Sequence, residues 1–114
     1  GGRVIGIEVL EELARLAEKN LARVGLDDNA EVRLGDGGLG AVREAPFDLV
    51  ILSCAAPEVP APLFDQVKRG GRLLAPIGTR HDQVLHRYTR EEEGWRDEVL
   101  GGCRFVPMVG TYGF

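Results

Sequence analysis

Apolar and polar positions alternate along this chain in two rhythms, and the change of rhythm marks its elements. Arg3-Val4-Ile5-Gly6-Ile7 is a short β-branched run that predicts a buried strand, ended by Glu8. Leu10, Leu13, Ala14, Ala17, Leu21 and Val24 then recur at helical spacing, with charges between them. Glu11 and Arg15 stand at i, i+4 in the favourable order, and Gly25 is a natural stop. Asp27-Asp28-Asn29 makes a turn into a second strand, Glu31–Leu34. Ala45-Pro46 introduces the most apolar strand, Phe47–Leu52. Pro60 to Lys68 predicts a short helix with Leu63, Phe64 and Val67 on its apolar face. Gly70-Gly71 then turns the chain into a strand at Arg72–Ile77. This order predicts a largely parallel sheet with helices packed on it. Gln83–Arg90 and Trp95–Leu100 flank Glu91-Glu92-Glu93-Gly94 and predict an antiparallel hairpin at a sheet edge. In Arg104-Phe105-Val106-Pro107-Met108, the proline fits a strand end or bulge.

Composition narrows the function classes. With 114 residues there is one modest core, and no repeat or linker interrupts it, so residues 1–114 read as a single domain. The net charge is −4 and the basic residues are scattered among acids, which argues against a nucleic-acid ligand. No apolar run of about 18 residues is present to span a membrane, and no targeting segment is visible. Cys54 and Cys103 lie far apart and form no metal-binding pattern; they read as reduced thiols of a cytoplasmic protein, and no metal is expected. Gly1-Gly2-Arg3 enters the first strand directly, without an initiator Met, which reads as a trimmed chain or a fragment.

The stretch Gly35–Gly40, GDGGLG, matches the dinucleotide pattern G-x-G-x-x-G. That loop must open a crossover helix of about ten or more residues, but only Ala41 to Pro46 separate Gly40 from the next strand. Asp36 also sets a carboxylate where a pyrophosphate would lie. The pattern is therefore not a dinucleotide loop. Ligands of open α/β sheets collect beyond the carboxyl ends of strands. There Asp36, an acceptor, suits the exocyclic amine of an adenine, and the Gly37 N–H suits a ring nitrogen. Glu8, at the end of the preceding strand, suits two vicinal ribose hydroxyls. Taken singly, each is also what a solvated turn looks like.

Together with Ala45-Pro46-Phe47-Asp48, Ala55-Ala56-Pro57-Glu58-Val59-Pro60, Gly70-Gly71-Arg72-Leu73, Pro76-Ile77-Gly78 and Arg104–Gly110, the series resembles the protein-L-isoaspartate O-methyltransferase family. The resemblance implies an α/β, Rossmann-like S-adenosyl-L-methionine-dependent methyltransferase sheet with a C-terminal antiparallel hairpin. It implies methylation of the free α-carboxylate of L-isoaspartyl residues in damaged peptides and proteins, a repair reaction. On it, Glu8 holds the ribose, Val9 lies against the adenine, and Asp36 and Gly37 hold the adenine edge. Ala55, Ala56, Pro57, Val106 and Pro107 shape the peptide acceptor site.

No catalytic side chain is expected, because a carboxylate acceptor is already ionised at neutral pH and aligning two bound groups carries the reaction. His81 and His86 read as surface residues of a loop and an edge strand. Cys54 reads as a buried structural thiol, and Ser53 has no evident base.

The resemblance covers the carboxyl-terminal half of such an enzyme. The family's first strand and glycine-rich loop would precede Glu8 by about twenty residues, and seven residues precede it here. In the family that strand lies between the one ending at Glu8 and the one at Phe47–Leu52. Without it, these two strands pair directly, take a strand from a partner, or leave the chain poorly folded; the chain alone is expected not to methylate isoaspartyl peptides. The other readings are a methyltransferase of another substrate class, a non-catalytic α/β fragment, and a dinucleotide dehydrogenase.

Overall fold

The computed structural model describes residues 2–114. Strands β1 (Val4–Glu8) and β2 (Ala30–Leu34) form a parallel pair joined by helix α1 (Glu11–Arg23). Acidic Glu11 and Glu12 in the first turn and Arg23 in the last suit the helix dipole. The helix stops where the sequence predicts. Gly25 takes φ 77°, its N–H donates to the Ala22 carbonyl, and the Leu26 N–H donates to the Leu21 carbonyl. These paired bonds satisfy carbonyls that a helix end would otherwise leave open. The ladder runs in register from Val4↔Ala30 to Glu8↔Leu34, so the two carboxyl ends finish level. On β2, Glu31 accepts hydrogen bonds from Arg33 and Arg3, which hold its carboxyl below the usual 4.5.

Two short 3-10 turns, Gly37–Leu39 and Val42–Glu44, follow instead of a crossover helix. The next elements are β3 (Phe47–Ile51), α2 (Ala61–Phe64), β4 (Val67–Gly78), β5 (Gln83–Arg90) and β6 (Trp95–Cys103). The four strands form one sheet in the order β3-β4-β5-β6, with β3 parallel to β4 and the rest antiparallel. Its core is Leu52, Ala56, Leu63, Val67, Leu73, Ala75 and Met108. Phe64 of α2 closes it by packing on Tyr88 and Trp95, with ring centroids 5.3 and 4.7 Å away. The chain divides into two compact units, one ending at Gly37 and one spanning Gly38–Phe114.

The structure corrects several expectations. The described strands form a two-stranded parallel sheet, β1-β2, and a four-stranded mixed sheet, β3-β4-β5-β6, rather than one largely parallel sheet. The helix predicted to Lys68 ends at Phe64. Val67, fully buried, pairs with Phe47 instead, whose N–H donates to the Gln66 carbonyl at 2.7 Å. Gly70-Gly71 is an irregularity within β4 rather than a turn. The register jumps from Phe47↔Val67 to Leu49↔Arg72, with Gly70 at φ 77° absorbing the extra residues. β6 continues three residues past the predicted Leu100, to Cys103, and β5 is an interior strand, paired with β4 on one side and β6 on the other. His86 on β5 is therefore no edge residue. Its ring stacks on Tyr88, and Nδ1 lies 2.7 Å from Asp97 Oδ1 on β6. His81 is exposed in the β4–β5 turn, as expected. Cys54 is half-buried against the core.

Candidate functional site

The level ends of β1 and β2 build the first candidate site. Glu8 is the last residue of β1, and its carbonyl accepts the Gly35 N–H at 2.9 Å, which extends the ladder one step past Leu34. That step fixes the loop Gly35-Asp36-Gly37 beside the end of β1. One Glu8 carboxylate oxygen lies 3.4 Å from the Leu10 N–H, a long contact that orients the side chain at the start of α1. Val9 is exposed at 39%, Glu8, Asp36 and Gly37 are half-buried, and all four are at the carboxyl end of the parallel pair. A Cβ on Gly37 would approach nothing closer than 4.0 Å, at the Ile7 carbonyl. The loop is thus short and open at Gly37.

The second group of residues is assembled by long-range pairing. The Ala55 N–H donates to the Val106 carbonyl and the Met108 N–H to the Ala55 carbonyl, each at 2.7 Å. Ala55 bridges Pro107, and Ala56 bridges Ile77. The segments Ala55–Pro57 and Val106–Pro107 therefore meet, although about fifty residues of sequence separate them. Their side chains divide. Ala55 and Ala56 are fully buried, whereas Pro57, Val106 and Pro107 are exposed. The exposed surface here is made by the prolines and the valine, with the buried alanines behind them.

A family model for protein-L-isoaspartate(D-aspartate) O-methyltransferase matches residues 1–113. The chain belongs to this family. It is 43% identical to the protein-L-isoaspartate O-methyltransferase of Methanopyrus kandleri over 114 residues, which cover 99% of this chain and 50% of that protein. It thus spans about half the length of the curated relatives it matches. A solved protein-L-isoaspartate O-methyltransferase superposes with a TM-score of 0.89 at 26% identity, over 98% of this chain and 36% of the other. A crystal structure from Plasmodium falciparum, described as a beta-aspartate methyltransferase in complex with S-adenosyl-L-homocysteine, gives 0.81 at 25% identity, over 94% and 52%.

In this member of the isoaspartate methyltransferase family, two glutamines that sequence reasoning passed over hold loops in place. Gln66 and Gln83 are 4% and 3% exposed. Gln66 Nε2 donates to the Leu39 carbonyl and its Oε1 accepts the Ala41 N–H, both at 2.9 Å. The pair brackets Gly40, which takes φ 67° and whose Cβ, if it had one, would lie 2.1 Å from Gln66 Oε1. This accounts for the last glycine of GDGGLG: it admits a glutamine, not a pyrophosphate. Little local marks these glutamines, because both partners of Gln66 and the Phe105 partner of Gln83 stand more than twenty residues away.

Proposed function

We propose that this chain carries the adenosine-binding part of an S-adenosyl-L-methionine-dependent, cytoplasmic methyltransferase that acts on the free carboxylate of L-isoaspartyl residues in peptides and proteins, as one partial methyltransferase domain. The observation that carries the reading is the level finish of β1 and β2, which puts Glu8 and Val9 beside Asp36 and Gly37 in a chain of this family. The donor set fits an adenosine. Glu8 offers a carboxylate for vicinal hydroxyls, Asp36 an acceptor for an exocyclic amine, and Gly37 a backbone donor with no side chain to obstruct a flat base. When bound, the cofactor supplies an activated methyl group. The residues of the chain bind and orient; none has to remove a proton, since the acceptor carboxylate is ionised at neutral pH. Pro57, Val106 and Pro107 offer an apolar rim for the acceptor peptide. Nucleic acid and membrane are not proposed as partners; among the described residues, no helix is long and apolar enough to cross a membrane.

Titration of S-adenosylhomocysteine into labelled chain, followed at the amides of Glu8, Val9, Asp36 and Gly37, tests the reading. Shifts centred on these residues are expected, and Glu8→Ala or Asp36→Ala should weaken binding by roughly tenfold or more, the worth of a hydrogen bond to a charged group. A well-dispersed spectrum without shifts rejects it.

A further inference from the structure

We propose that Gln83 is a positioning residue for peptide recognition, its buried carboxamide tying the turn at 79–82 to the segment 104–108 and so setting Val106 and Pro107 against Ala55. The inference rests on the acceptor reading above and adds the device that holds the acceptor rim.

Gln83 opens β5 at the end of a tight turn. Thr79 Oγ1 accepts the His81 and Asp82 N–H groups at 3.3 and 3.1 Å, and the Thr79 N–H donates to the Asp82 carbonyl at 2.9 Å. From this turn the Gln83 side chain reaches both ways. Nε2 donates to the Thr79 carbonyl at 2.8 Å, and Oε1 accepts the Phe105 N–H at 2.7 Å. The amide's orientation is fixed by its partners, since a flip would set donor against donor and acceptor against acceptor. Phe105 precedes Val106, whose carbonyl accepts the Ala55 N–H. One buried side chain thus sets the register of the strap one residue ahead of its pairing with Ala55. Two other contacts join the turn to the C-terminal segment: an Arg104–Asp82 ion pair at 3.0 Å and Arg80 lying 5.5 Å over the Phe114 ring. The ion pair is largely exposed, at 80% and 73%, and therefore weak. Burial makes the Gln83 bonds the stronger tie, because a lost partner leaves a dry polar group unsatisfied.

The test uses Gln83→Met, which keeps the volume and removes both bonds, beside Gln83→Glu. In Gln83→Met, hydrogen exchange at Ala55, Phe105 and Met108 should rise roughly three- to tenfold per lost bond. Binding of an isoaspartyl peptide should weaken while binding of S-adenosylhomocysteine at Glu8 and Asp36 stays unchanged. In Gln83→Glu the ionised carboxylate still accepts the Phe105 N–H but cannot donate to the Thr79 carbonyl, so Phe105 should stay protected, and protection of the 79–82 turn should recover as pH falls and the carboxyl takes up a proton. Unchanged exchange at Ala55 and Met108 in Gln83→Met overturns the proposal, as does equal weakening of peptide and nucleotide, which marks general destabilisation. A wild-type chain that binds nucleotide but no isoaspartyl peptide removes the acceptor reading instead, and the exchange pattern alone then decides whether Gln83 sets the strap.

Discussion

Gly40 and Gly25 separate two costs that positive φ usually confounds. Both sit in the left-handed region, at 67° and 77°. Around Gly25 there is open space, whereas Gly40 faces the Gln66 carboxamide at contact distance. Gly25→Ala should cost only backbone strain, about 1 kcal/mol. Gly40→Ala adds the displacement of Gln66 from two buried hydrogen bonds, for about 2–4 kcal/mol in all. Denaturant midpoints of the two variants check this; equal losses would show that the Gln66 clasp carries no weight. The sequence alone marked Gly25 as a helix stop, but it gave no reason for Gly40. The reason for Gly40 stands at Gln66, and no spacing rule links the two positions.

Among elements, the β5–β6 hairpin is the one with a titratable seam. Arg87 donates two hydrogen bonds to Glu98 across the strands, and with Arg96 it holds the Glu98 carboxyl below its usual 4.5. A carboxyl depressed by folding contributes stability that is present above its unfolded value and is lost as pH falls through the folded one. The hairpin should therefore loosen on acidification below about pH 4.5, the ordinary value. Arg87→Met should return Glu98 toward that ordinary range. A carboxyl-carbon titration of Glu98 reads this directly, and an unmoved titration curve in the variant contradicts the assignment. On the same hairpin, burial, with Asp97 nearby, pushes the Tyr88 phenol above its usual 10.0. The alternating pattern disclosed the hairpin well. It could not say that β6 runs to Cys103, because Gly101 and Gly102 carry no side chain to continue an alternation.

At the scale of the molecule, the two units differ in how much they bury. Ala14 is the one buried apolar side chain among the described residues up to Gly37, while the second unit holds a seven-residue buried cluster. Burial is the main favourable term in folding, so amides of β1 and β2 should exchange faster than those of β4 and β5. A ligand that binds only the folded site stabilises it by about 2.7 kcal/mol at a hundred times its Kd, slowing exchange roughly a hundredfold. S-adenosylhomocysteine at that excess should slow exchange across β1, α1 and β2. Equal exchange in both units without ligand, or no slowing with it, contradicts this account.

The sequence by itself determined what rests on neighbours along the chain: the start and stop of α1, the short parallel strands, the hairpin, and the ordered series of motifs that marks the family. It also placed Glu8, Val9, Asp36 and Gly37 at strand ends, because a strand end is a local event. Tertiary structure decided what depends on distant partners. It ended α2 early because Val67 is drawn into a ladder with Phe47, and it set His86 on an interior strand, beside Asp97, because β6 pairs with β5. It separated the parallel strands into two sheets, and it brought Ala55 to Val106. It gave Gln66 and Gln83 their places, since a buried carboxamide is stable only where a donor and an acceptor from elsewhere in the chain meet it.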